Sequence, residues 1–253
     1  MSREVCLTHD AERPLRITSD MLLSRRVDFE RRMRRLPRLT TGLIALLAFV
    51  FSVEVAFEAL DSDLAIITAG ALFRPAVAAG EYWRLLSATF LHGSFEHLIG
   101  NAIALFILGM LCEHAFGWRQ FVVLYVASAV GGSLLSLLWS PGPSVGASGA
   151  IFGLQGAAIA LFRRHRERLL VRDRRIGVVL IVWAIYTVLG GLTTPYIDNG
   201  AHIGGMATGW LVGRRLHPLV LDPMPLERAR TVRRRLWIVW IVLAYTAFGW
   251  LIR

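Results

Sequence analysis

Seven apolar runs separated by arginine-rich blocks constrain this chain more than any other feature. The runs lie near residues 40–60, 95–112, 119–138, 147–162, 176–192, 200–213 and 236–252. All 28 basic residues are arginines; ten fall in residues 1–38, seven in Arg163–Arg175 and seven in Arg214–Arg235. A large soluble helical bundle would show polar faces at helical period, and these runs lack them. With 55% hydrophobic residues and a mean hydropathy of +0.53, the chain reads instead as a set of membrane crossings. Several runs are short for a hydrocarbon core of ~30 Å, which takes about 20 residues, a mismatch met by a polar cavity or by local thinning. The expected fold class is all-α, a polytopic membrane helical bundle.

The formal charge of +10 could point to nucleic acid, but its distribution argues against that. Blocks of arginine between apolar runs are orientation signals and contacts for anionic membrane lipids. An inward N-terminus puts all three blocks in the cytoplasm, leaving Arg74, Arg84 and the C-terminal Arg253 outside. The expectation is a multi-pass protein of the cell (inner) membrane with a cytoplasmic N-terminus. The first 20 residues are polar and show no cleavable signal peptide. Residues 1–38 read as a basic cytoplasmic arm and 216–235 as a basic cytoplasmic linker ahead of a last span over 236–253. The absence of lysine removes a Ser–Lys dyad, Schiff-base chemistry and a P-loop lysine. The spacing of Cys6 and Cys112 suggests neither a disulfide framework nor a metal knuckle.

Against this apolar background a few polar residues stand out, because such groups are costly within a bilayer and mark function by default. Ser148 heads one run in Gly146-Ala147-Ser148-Gly149, and His202 opens another in Ala201-His202-Ile203-Gly204-Gly205. At ~1.5 Å per residue, Ser148 lies roughly 22 Å above Arg163, His202 roughly 18 Å above Arg214, and Asn101 roughly 18 Å above Glu113. The second, fourth and sixth runs cross in the same direction, so the three groups converge on one layer toward the outer face. Gly149 and Gly153, and the overlapping GxxxG repeats Gly205-Gly209-Gly213, permit close approach of the fourth and sixth helices. Taken singly, Ser148 reads as a helix cap and the histidines as packed donors; together they read as a nucleophile and its base.

These residues resemble the rhomboid intramembrane serine proteases. The likeness rests on Gly146-Ala147-Ser148-Gly149, on Ala201-His202-Ile203-Gly204-Gly205 through Gly209, and on His92, His97 and Asn101 with Trp83-Arg84 upstream. It covers roughly residues 40–215, and it implies a six-helix core over 39–215 with a C-terminal seventh transmembrane helix. The implied reaction is hydrolysis of peptide bonds in or near transmembrane segments of protein substrates. Ser148 attacks, His202 takes its proton, and His97 and Asn101 help hold the oxyanion. The resemblance implies no metal or organic cofactor and no nucleic-acid partner; oligomeric state is open. His92 matches a structural position, while Arg84 and Glu113 match positions that stabilise the loop and its contacts. Asp198, one turn before His202, reads as a cap or loop residue ahead of a third catalytic member.

Three other classes stand against this reading. A metalloprotease needs His-Glu-x-x-His, which is absent. An α/β-hydrolase elbow needs glycine where Ala150 stands. A transporter or a non-catalytic substrate-binding membrane protein is the alternative, although no internal repeat is evident.

Overall fold

The computed structural model describes residues 36–140, 142–194 and 197–252. The N-terminal arm up to Arg35 therefore lies outside the described residues. Among those described, seven long helices follow the seven apolar runs: α1 (Arg38–Ala56), α5 (Phe95–Phe116), α6 (Trp118–Trp139), α7 (Ser148–Arg164), α8 (Val171–Thr193), α9 (Asn199–Gly213) and α10 (Leu226–Leu251). Three short helices, α2 (Asp63–Ala69), α3 (Arg74–Ala78) and α4 (Arg84–Ser87), lie in the long connection between α1 and α5. The only extended pairing among the described residues is a single bridge between Leu72 and Ser144. The architecture is all-α, as composition and run spacing predict.

Four segments, Arg38–Ala56, Phe95–Phe116, Trp118–Trp139 and Arg175–Thr193, are each long and apolar enough to cross a membrane. Helices α7 and α9 are shorter, at 17 and 15 residues. Every residue of α7 from Gly149 to Phe162 is buried, so protein rather than lipid surrounds it. The last helix begins at Leu226, so the second half of the stretch read as a linker is helical and carries its arginines in the first three turns.

Local chemistry sets the helix starts. Ser94 caps α5 by accepting from the His97 amide, and Ser62 caps α2 by accepting from Ala65. Glu113, near the end of α5, accepts from the Leu39 and Thr40 amides at 3.0 and 2.8 Å and from the Thr40 hydroxyl. A carboxylate from one helix thus satisfies the free amides at the start of another, where the helix dipole also favours negative charge.

The centre of the bundle is built from α6, α7 and α9 by removal of side chains. A Cβ on Gly205 would sit 1.9 Å from the Gly149 carbonyl oxygen, one on Gly209 would sit 1.9 Å from that of Gly153, and one on Gly213 would meet Ala157 Cα at 2.6 Å. Successive contacts advance by four residues on both helices, so α7 and α9 run parallel with backbones touching. On α6, Gly132 abuts the Ala201 carbonyl oxygen and Ser128 fills the space beside Gly153.

The α1–α5 connection is a built element. Arg84 is fully buried and donates to Glu81 at 2.6 Å and to the carbonyls of Ile67 and Ala71 at 2.6 and 2.8 Å. Its guanidinium lies 4.6 Å from the Trp83 ring centroid. The seventh long helix docks here: a Cβ on Gly249 would meet Trp83 Cδ1 at 2.6 Å, and the Trp250 indole donates to the Ala69 carbonyl at 2.8 Å. This helix clamps the connection, a role that the apolar run alone did not reveal.

Candidate active site

Ser148 is the first residue of α7, and Ala147 before it occupies the cap position without a side-chain hydrogen bond. The serine hydroxyl is therefore not spent as a cap. Ser148 is half-buried at the end of a helix whose first amides have no intrahelical acceptor, and the helix dipole there favours developing negative charge.

His202 lies in the first turn of α9 and is 6% exposed. Its imidazole stacks on Phe152, with ring centroids 4.1 Å apart and planes 9° from parallel. Phe152 is one turn after Ser148 on α7, and helical side chains lean toward the N-terminus. The stack therefore brings the imidazole to the face of α7 that carries Ser148. Where a Cβ on Gly149 would lie, the Ala201 carbonyl oxygen is only 3.3 Å away. Among the described residues no hydrogen bond joins Ser148 to His202; the approach of the two helices here rests on the Phe152 stack and the small residues at Gly149 and Ala201. Such bonds commonly tighten only when substrate is present.

The third motif reaches the same place from α5. Gly146 adopts φ +124°, open to glycine and strained for other residues, and a Cβ there would collide with His97 Cε1 and Nε2 at 2.7 Å. The same Cβ would lie 3.4 Å from Asn101 Nδ2. His97 and Asn101 thus press against the backbone two residues before Ser148. Asn101 is 7% exposed, and its Nδ2 is buried with no hydrogen-bond partner. A buried donor left unpaired costs ~1–3 kcal/mol and calls for an explanation. All four residues singled out in the sequence meet around the start of α7.

The supporting residues fall where their sequence context suggested, with more detail. His92 is fully buried, its ring 5.2 Å from that of His97 in an edge-on arrangement. Its amide donates to both Glu54 carboxylate oxygens at 3.1 and 3.2 Å, which ties α1 to the loop before α5. Asp198 caps α9, accepting from the Ala201 amide at 2.9 Å, and also accepts from the hydroxyls of Ser136, Ser140 and Ser144. His202 Nδ1 is buried without a partner, so no carboxylate is hydrogen-bonded to it. A small cavity of about 20 Å³ lies behind the Ser148 loop between Thr89, Ser133, Ser144, Gly146, Gly149 and Ala201, room for about one water.

Sequence reasoning missed Phe152 and the three serines. Phe152 carries a retrospective signal, its spacing of four from Ser148. The serines have none, since only folding brings residues 136, 140 and 144 to one carboxylate.

Comparison with known proteins identifies the family. The family model described as Rhomboid domain matches residues 79–219, which contain all four site residues. The chain is 38% identical over 151 residues to Rhomboid protease GluP of Bacillus subtilis (strain 168), covering 60% of this chain and 29% of that protein. It is 41% identical over 147 residues to RHOMBOID-like protein 5 of Arabidopsis thaliana, covering 57% and 47%. It is also 36% identical over 169 residues to Rhomboid-like protease 1 of Toxoplasma gondii, covering 61% and 56%. The match therefore spans 29%, 47% and 56% of these three relatives' own length, less than two thirds in each case. With more than half of its residues matched by the family model, this multi-pass membrane chain belongs to the rhomboid family.

Proposed function

We propose that this protein is an intramembrane serine endopeptidase that hydrolyses peptide bonds in or near transmembrane segments of protein substrates. The observation that carries the reading is the meeting of Ser148, His202, His97 and Asn101 around the half-buried start of α7. Two of the relatives are named as proteases, which supports it.

In this reading His202 removes the proton from Ser148 Oγ as the oxygen attacks the scissile carbonyl, and returns it to the leaving amine. The carbonyl oxygen gains charge and is met by the free amides at the start of α7, by Asn101 Nδ2 and by His97. Such preorganised donors act most strongly where water is excluded. A water then attacks the acyl-enzyme, with His202 again as base, and regenerates Ser148. Stacking on Phe152 fixes the imidazole plane, the task that a carboxylate performs in a triad. The chain's own residues carry every step, and no cofactor enters.

The same reading places residues 39–215 as the catalytic core and the last helix as its brace. It puts the site toward the outer leaflet of the cell membrane, with the arginine-rich ends inside. The test is covalent labelling by a fluorophosphonate and cleavage of a single-span substrate in detergent. Ser148→Ala abolishes both with the fold retained, and His202→Ala lowers labelling by on the order of a thousandfold. Cleavage that survives Ser148→Ala removes the serine from the mechanism.

A further inference from the structure

Resting on the protease reading above, we propose that Asp198 is a positioning residue. Its carboxylate ties the loop that delivers Ser148 to the helix that delivers His202, and so sets the approach of nucleophile to base.

The geometry is specific. Asp198 accepts from Ser136 Oγ, from Ser140 Oγ at 2.7 Å, from Ser144 Oγ at 2.6 Å and from the Ala201 amide at 2.9 Å. These donors come from three segments: the last turn of α6 with the residue just beyond it, the loop before α7, and α9 itself. Ser144 stands four residues before Ser148, and Asp198 stands four residues before His202. The Ser144–Asp198 bond therefore joins the two reacting side chains' supports at equal remove.

The loop has little else to hold it. Ser144 exchanges two backbone hydrogen bonds with Leu72, both 2.9 Å, and the Gly146 amide donates to the Ala88 carbonyl at 2.9 Å. These bonds pin the loop to the α1–α5 connection; among the hydrogen bonds of the described residues, the Asp198 carboxylate is what pins it to α9.

Capping alone does not account for this arrangement. A helix cap uses one acceptor for one amide, and serine serves nearly as well as aspartate. Here all of the roughly four lone-pair positions of an ionised carboxylate are taken. Burial pushes the Asp198 carboxyl up, but the Ser136 and Ser144 hydroxyls, the Ala201 amide and the Ser140 hydroxyl outweigh it and hold it below its ordinary 3.8. The group is thus ionised at neutral pH and keeps its acceptors. No acceptor direction is left for a hydrogen bond to the imidazole, so Asp198 holds the loop and is not a hydrogen-bonded third member of the site.

The discriminating variant is Asp198→Ser, which preserves a helix cap and is too short to bridge to the loop. The full chain is measured in detergent by fluorophosphonate labelling of Ser148, resolved into a binding constant and a maximal rate. Amide hydrogen exchange and thermal unfolding are followed on the same samples. The expected result is a maximal labelling rate lower by on the order of tenfold to a hundredfold, with the binding constant within about twofold. Exchange at Ser144 and Gly146 rises about tenfold while α7 and α9 stay protected. Ser144→Ala, which leaves the cap untouched, moves both readouts the same way, and the double variant is no worse than Asp198→Ser alone.

Wild-type labelling and unchanged loop exchange in Asp198→Ser overturn the proposal, leaving Asp198 a cap. So does loss of protection throughout the bundle, because the role is then purely structural. Failure of the protease reading looks different: the wild-type chain itself does not label at Ser148.

Discussion

Asn101 has an amide nitrogen that is buried, unpaired and 3.4 Å from where a Gly146 Cβ would be. In a folded resting state this placement costs stability, so its benefit must appear elsewhere. Charge developing beside Gly146 during acyl transfer would supply the missing acceptor. Asn101→Ala is expected to lower kcat by ~10²-fold with KM little changed, while the unfolding temperature stays the same or rises. A parallel fall in unfolding temperature and kcat would make Asn101 structural. At this scale residue identity was legible from the sequence, because three motifs bring unusual polar groups to one depth. The competing cap role of Ser148 was settled only by backbone geometry, which gives the cap position to Ala147. Asp198 keeps the cap role that its sequence position favours, accepting from the Ala201 amide, and folding adds three serine hydroxyls that no local pattern announces.

Among the helices, the α7–α9 contact matters most for the site. Gly205, Gly209 and Gly213 signal close packing in the sequence, and the structure pairs them with Gly149, Gly153 and Ala157. The participation of α6 was not legible, because its contribution, Ser128, Gly131 and Gly132, has no repeat of its own. Gly209→Leu would place a Cβ 1.9 Å from the Gly153 carbonyl oxygen, against backbone that cannot step aside. The expected cost is about 3 kcal/mol or more, seen as a large fall in unfolding temperature with loss of labelling at Ser148. Gly100→Ala, with nothing within 4 Å of the new Cβ, serves as control and is expected to be neutral or slightly stabilising. Equal behaviour of the two variants would show that α7 and α9 are not in backbone contact.

Across the whole molecule, the parallel course of α7 and α9 requires the chain to return through α8 between them, as alternating crossings demand. Their arginine-bearing ends, Arg163–Arg164 and Arg214–Arg215, then lie on one side. In the orientation proposed above, which follows the positive-inside rule, that side is cytoplasmic. Reporter fusions after Gly80 and after Arg253 are accordingly expected to read as external, and fusions after Arg168 and Arg215 as cytoplasmic. A cytoplasmic signal at Gly80 would invert the proposed orientation. The last helix anchors the α1–α5 connection through Gly249 and Trp250, and that connection holds Ser144 through Leu72. A continuous series of contacts therefore runs from the C-terminal helix to the loop before Ser148.

The approximate positions of the seven long helices were determined by the sequence itself, because lipid leaves an apolar run little choice but to satisfy its backbone internally as a helix. The three short helices of the α1–α5 connection were not. The set of candidate site residues was also determined by the sequence, because a polar group in such a run is expensive enough to be conspicuous. What only the tertiary structure decided is how those residues are held: Phe152 under His202, Gly146 against His97, three serines on Asp198, and the last helix on Trp83. These are contacts between segments distant in the chain, set by which backbones can approach most closely, and no local periodicity encodes them.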